Sequence, residues 1–147
     1  MPTQDELLEA WLRRKSSGSH FFQLEQEVLQ SFEYKGPQWG HPSNYAAVRF
    51  QCEPADALGF TAQAPWPTHL SITYQADLEH AIGCGLVDRL MNTFYPYRGC
   101  ALTLIDVGWD DVMSSEMAFY RAAAGAMDEL MTTAKWRLVT IGFENPT

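Results

Sequence analysis

Basic side chains are scarce in this chain: ten Lys and Arg stand against 18 Asp and Glu, for a formal net charge of −8. Sequence-blind binding to duplex nucleic acid depends on neutralising many phosphates, so the deficit argues against it and leaves room only for a small local contact. The same acidity favours solubility and repels anionic membranes. Cysteine is scarce as well. Cys52, Cys84 and Cys100 are three in number and widely spaced, which excludes a disulfide framework and offers no Cys-x-x-Cys pair for zinc; buried reduced thiols are expected. No apolar run approaches the roughly 20 residues that span a bilayer. The acidic start, Met1-Pro-Thr-Gln-Asp-Glu-Leu-Leu-Glu9, lacks the basic-then-apolar order of a secretory signal, so a cytoplasmic location is expected. There is no Gly-x-x-x-x-Gly-Lys-Ser/Thr loop, and GTP hydrolysis by that route is excluded.

What remains is an ordinary globular composition. Of 147 residues, 46% are apolar and 19% charged, enough for one domain that buries about two-thirds of its unfolded surface. Thr3-Gln-Asp-Glu6 is a capping-box pattern ahead of Leu7, Leu8, Trp11 and Leu12, which predicts a short helix over 4–15 and a hinge at Ser16-Ser-Gly-Ser19. The organisation expected is an N-terminal helix and hinge over 1–19 and a domain over 20–147.

Phe21 to Tyr34 is ambiguous: Phe22, Leu24, Val28, Phe32 and Tyr34 fit alternation imperfectly, whereas Phe21, Leu24, Val28 and Phe32 fit a helix, and propensity alone leans slightly to helix. Gly36-Pro-Gln-Trp-Gly-His-Pro-Ser43 must be a loop. From Asn44 to Glu53 the pattern alternates, with Ala46, Val48, Phe50 and Cys52 inward and Tyr45, Arg49, Gln51 and Glu53 outward, as in a half-buried strand. Phe60 and Ala62 suggest a short strand, and Leu70, Ile72 and Tyr74 a further one. A helix over 76–94 carries Leu78, Ile82, Leu86, Leu90 and Phe94 at four-residue steps, beside Ala81 and Gly85, which permit close approach to a neighbour; Pro96 stops it. Cys100 to Val107 reads as a central strand covered on both faces. Trp109-Asp-Asp-Val-Met-Ser-Ser-Glu116 is a polar loop leading into a second helix, with Ser114 as a capping residue, Glu116 at its positive end, and Phe119, Ala123, Ala126 and Leu130 as its buried stripe. Trp136 to Phe143 closes the chain as a strand. Two helices on one face of a sheet make an α+β two-layer sandwich.

The stretch from Val112 to Phe119, with the helix after it, resembles the second tip loop and final helix of domain IV of translation elongation factor G. Asn44-Tyr-Ala-Ala-Val-Arg-Phe-Gln-Cys-Glu-Pro54, Leu58-Gly-Phe60 and Ala81-Ile-Gly-Cys-Gly-Leu86 are similar to other blocks of that domain, and the likeness covers about 27–141. It implies a four-stranded sheet with two helices and a left-handed β-α-β crossover, and it places a strand at Phe21–Tyr34. It also implies two tip loops, Gly36–Tyr45 and Asp106–Ser115, that meet the ribosome, transfer RNA or other structured RNA. The chain departs from the pattern where the family carries its tip histidine, replaced by Asp110, and its acidic residue before Ser-Ser, replaced by Met113. The first loop is also bulkier.

The candidate binding residues are therefore Trp39, His41, Asn44, Tyr45, Asp110, Asp111, Ser114 and Ser115. Trp39, His41 and Tyr45 suit stacking on unpaired bases, or else packing beneath their own loop. Asp106, Asp110 and Asp111 lack the glycine and spacing of a calcium loop and read as a solvated acidic loop. His80 and Cys84, one turn apart, have no further ligand pair. His20 and His69 show no partner in sequence, and Asp111 with Glu116 forms a carboxylate pair without an inferable pocket. The expectation is a non-enzymatic module without metal or cofactor that binds ribosome or structured RNA. The competing expectation is a protein-interaction module whose acidic surface engages a basic partner.

Overall fold

The central sheet is four-stranded and mixed. The computed structural model describes residues 20–36 and 45–140. The expected helix over 4–15, most of the first tip loop and the strand beyond Thr140 lie outside the described residues. Elements follow as β1 His20–Leu24, β2 Val28–Lys35, β3 Tyr45–Pro54, β4 Gly59–Ala62, α1 Ile72–Leu90, β5 Cys100–Gly108, α2 Glu116–Thr133 and β6 Trp136–Thr140. Strand β3 pairs antiparallel with both β2 and β5, and β4 runs parallel to β5 with α1 as the crossover between them. The architecture is α+β, a two-layer sandwich of this sheet and two helices, with β1 and β6 adding a separate antiparallel ribbon.

The strand pattern sets the layers. In β3, Ala46, Val48, Phe50 and Cys52 are buried, and the register partners Leu104 and Leu102 on β5 point the same way. The helices cover that face. Leu78, Ile82, Leu86 and Leu90 of α1 and Phe119, Ala123, Ala126 and Leu130 of α2 are all at most 1% exposed. Gly85 lets the helices touch: a Cβ there would lie 2.6 Å from the Tyr120 carbonyl oxygen and 3.1 Å from the Ala123 Cβ. Small residues on both sides are thus required by backbone approach, as the Ala81/Gly85 pattern suggested.

Several boundaries differ from expectation. Phe21–Tyr34 is two strands rather than one, broken at 25–27, because β1 leaves the main sheet to pair with β6. Leu70, Ile72 and Tyr74 are not a strand: the Ser71 hydroxyl accepts the Tyr74 N–H and starts α1 four residues earlier than predicted. That helix also ends at Leu90, where the Met91 N–H reaches the Val87 carbonyl, so Phe94 lies outside it and is 88% exposed. Strand β5 is interior to the sheet but covered on one face only, as its burial alternation shows, and a register shift opposite Arg49/Phe50 interrupts its pairing. Strand β6 pairs with β1 instead of joining the main sheet.

Candidate tip interface

Chain direction places both helix starts at one end of the sandwich. Strand β4 ends opposite Leu104, α1 runs back, β5 returns to end at Gly108, and α2 starts at Glu116 after a seven-residue loop. The positive ends of two helices therefore open beside the loop 109–115, together with the start of β3. In α2 the cap is Ser115, whose hydroxyl accepts the Ala118 N–H at 3.2 Å. Ser114 was expected to cap, and it does a different job. Its hydroxyl donates to the Tyr45 carbonyl at 2.8 Å and accepts the Asp110 N–H at 2.9 Å. The Tyr45 N–H donates to the Met113 carbonyl at 3.2 Å. Two segments 69 residues apart are thus clamped through backbone groups, with the serine as the pin.

Asp110 closes the loop from within. Its Oδ1 accepts the Val112 and Met113 N–H groups, both at 2.9 Å, and its carbonyl accepts the Ser114 N–H at 3.0 Å. An aspartate is suited to this turn by its short acceptor side chain. Asp111 turns outward and collects two donors, Trp109 Nε1 at 2.7 Å and His69 Nε2 at 2.8 Å, which hold its carboxyl below the usual carboxylate range, the Trp109 bond contributing most. The indole of Trp109 stacks on Phe119 at 6.1 Å between centroids and meets Tyr74 edge-on, while Trp66 packs edge-on against Phe119 and donates to Glu79. The loop rests on an aromatic base, leaving Val112 75% exposed and Met113 and Met117 partly exposed.

Tyr45 lies against the open face of the sheet. Its hydroxyl donates to Glu33 Oε2 at 3.2 Å, and a Cβ on Gly108 would come within 2.8 Å of that hydroxyl oxygen. Partial burial, then the Glu33 bond, raises the Tyr45 pKa. A shallow groove beside the ring is lined by Ser31, Glu33, Ala47, Arg49, Asp106 and Gly108. Asp106 is turned toward its own chain, accepting the Val107 N–H at 2.9 Å.

Of the sequence-predicted site residues, the structure brings together Tyr45, Asp110, Asp111, Ser114 and Ser115; Trp39, His41 and Asn44 lie outside the described residues. His69 is the residue that sequence reasoning missed. Its partner Asp111 lies 42 residues away, and only the early start of α1 brings it near. His80 Nε2 and Cys84 Sγ do meet, at 3.6 Å, and Tyr120 bonds to Asp88 one turn on. Among the described residues, no group of three His, Cys, Asp or Glu side chains is arranged to hold a metal ion. All three cysteines are free: Cys52 and Cys100 are buried and Cys84 half-buried. No helix among the described residues is long and apolar enough to cross a membrane.

No protein-family model matches the chain, and no curated protein matches it. Among solved structures, the fold is similar to that of a protein from Thermus thermophilus known from a crystal structure, with a TM-score of 0.67 and 23% identity. The likeness covers 82% of this chain but 18% of that one, so the chain spans less than a fifth of the length of the protein it resembles.

Proposed function

We propose that this chain is a non-enzymatic binding module that engages the structured RNA of the translation machinery through its tip. The observation that carries the reading is the clamp of Tyr45 to Met113 and Ser114, which joins two sequence-distant segments at one end of the sandwich. Such preorganisation favours a docking surface, because little loop entropy remains to be lost on binding. The starts of α1 and α2 open at the same end, and helix starts receive phosphate oxygens well, offsetting part of the repulsion from Asp110 and Asp111. The resemblance of Val112–Phe119 to elongation factor G domain IV supports the choice of RNA. Co-sedimentation with ribosomes at low salt tests it. The wild type is expected in the ribosomal pellet, with Val112→Asp and Trp39→Ala depleted from it; no co-migration, or equal co-migration of all three proteins, overturns it.

A second reading has its own observation. Val112, Met113, Met117 and Ile72 are exposed apolar side chains at an end that also carries Asp77, Asp110, Asp111 and Glu116. That combination suits a protein partner with an apolar cleft and a basic rim. A complex of fixed stoichiometry that survives nuclease favours this reading, and loss of binding after nuclease favours RNA.

A further inference from the structure

The open face of the sheet carries a polar groove that the packing of the two layers does not use, and two register rows build it. Glu33, Ala47 and Gly108 stand side by side across β2, β3 and β5, and Ser31, Arg49 and Asp106 form the next row. Asp106 reaches this face through the register shift. Phe50 pairs with Leu104 but Arg49 with Asp106, so Ile105 is the extra residue. An unbroken ladder would set Ile105 opposite Arg49 and turn Asp106 toward the core, so the bulge re-aims an aspartate, as bulges beside binding sites do. The floor is low because Ala47 and Gly108 are small. The Tyr45 hydroxyl closes it on the tip side, 2.8 Å from where a Gly108 Cβ would stand. The groove holds about 320 Å³, at the small end of ligand sites, which suits a single base rather than a length of chain.

Its polar groups differ in what they leave open. Glu33 receives Tyr45 on one oxygen at 3.2 Å and Lys35 on the other at 3.4 Å. A carboxylate offers about four acceptor positions, so both oxygens keep capacity while the two donors fix their place. Arg49 is exposed and joins none of the ion pairs among the described residues, so its planar fork of N–H donors stays open. Glu33 and Asp106 outnumber Arg49 in the lining, which disfavours an anion and leaves a neutral polar ligand as the fit. We propose that this groove is a guanine subsite, with Arg49 donating to O6 and N7 and Glu33 accepting from N1–H and N2–H of one unpaired base. The inference rests on the RNA reading above and adds the base that is read. Among the four bases, only guanine presents an acceptor pair on one edge and a donor pair on the next, and Arg to O6 and N7 is the commonest specific contact. A base edge is neutral, so an acidic chain can read it where it cannot gather phosphates. Sheet faces serve as platforms for single-stranded bases in other folds.

Titration of the full chain with guanosine, adenosine, cytidine and uridine monophosphates, followed by amide NMR shifts, tests the subsite. The guanosine nucleotide is expected to shift the amides of 31–33, 47–49 and 106–108 and to bind about tenfold or more tightly than the other three. Arg49→Gln and Glu33→Gln should each weaken it about tenfold and leave the rest of the spectrum unchanged, since both side chains are exposed. Arg49→Lys keeps the charge but not the fork, and should behave like Arg49→Gln. Absence of shifts in the groove overturns the inference, as do equal shifts from all four nucleotides or undiminished binding in both Gln variants. Shifts centred on 112–116 would place the phosphate at a helix start and overturn it too. A wild type that pellets with ribosomes yet ignores the guanosine nucleotide removes the subsite alone. One that binds the nucleotide yet stays out of the pellet removes the tip reading alone.

Discussion

Ser114 and Ser115 are adjacent and chemically identical, yet they hold different things, and their replacements separate the two roles. Ser115→Ala removes a helix cap and is expected to cost about 1 kcal/mol in urea unfolding, as for other N-caps, without altering the 45–114 contact. Ser114→Ala removes a donor to the Tyr45 carbonyl and an acceptor for the Asp110 N–H, and about 1–2 kcal/mol is expected by the same measurement. The distinguishing readout is hydrogen exchange at the Tyr45 amide, which should accelerate in Ser114→Ala only. Asp111 supplies a pH dependence. Its carboxyl is held low by Trp109 and His69, so the interaction is complete above the ordinary aspartate pKa near 4 and is lost as pH falls through the depressed value. The Trp109 indole N–H resonance should therefore shift on acidification below about pH 4. Asp111→Asn should remove that titration. Burial raises all three thiols, helped at Cys84 by Asp88 and at Cys100 by Cys52, with Cys52 pushed up to about 12; what separates them is access, since Cys52 and Cys100 are buried and Cys84 is half-buried. Ellman's reagent should find one reactive thiol, Cys84, in the folded protein and three in denaturant.

At the scale of elements, the helix pair is held at a distance that glycine sets. Gly85→Ala would drive its Cβ into the Tyr120 carbonyl, a backbone atom that cannot rotate away, and the mutant is expected to lose about 1–3 kcal/mol of stability in thermal or urea melts. Gly59→Ala, at the start of β4, provides the comparison, since a Cβ there meets nothing within 4 Å. The sequence showed these elements unevenly, for physical reasons. The β3 alternation and the α2 stripe were legible because each buries one face against a continuous core, and burial writes a period into the residues. The first turn of α1 was not, because Ile72 is 83% exposed: an apolar residue at a helix start without a core beneath it mimics strand alternation. Phe94 misled in the opposite sense, extending the α1 period into a segment that backbone bonds to β1 hold outside the helix. Ribbon β1–β6 depends on pairing between the two ends of the described chain, which no local pattern records. At the site, the cap region could be read but the Ser114–Tyr45 and His69–Asp111 contacts could not, since both are products of the fold.

For the molecule as a whole, charge decides what kind of RNA contact is admissible. With a net charge of −8 the chain gains nothing from long-range attraction to phosphate, so a contact must be short-ranged and confined to the tip. Among the described residues, the cations near that end are few: Lys35 is 3.4 Å from Glu33, Arg121 lies over Tyr34 and donates to its hydroxyl, and Arg49 borders the open-face groove. Counterion release sets the salt dependence of binding at about −0.9 in log K per phosphate neutralised on a duplex and about −0.7 on a single strand. Three cations therefore limit the slope to shallower than about −3, whatever the affinity. Filter binding of ribosomal or transfer RNA between about 50 and 200 mM salt measures it. A slope of about −6 or steeper would require more phosphate contacts than these cations can make, and would move the interface elsewhere on the chain. A shallow slope, with binding that vanishes in Val112→Asp, would keep it at the tip, where apolar contact and the two helix starts, rather than net charge, carry the binding.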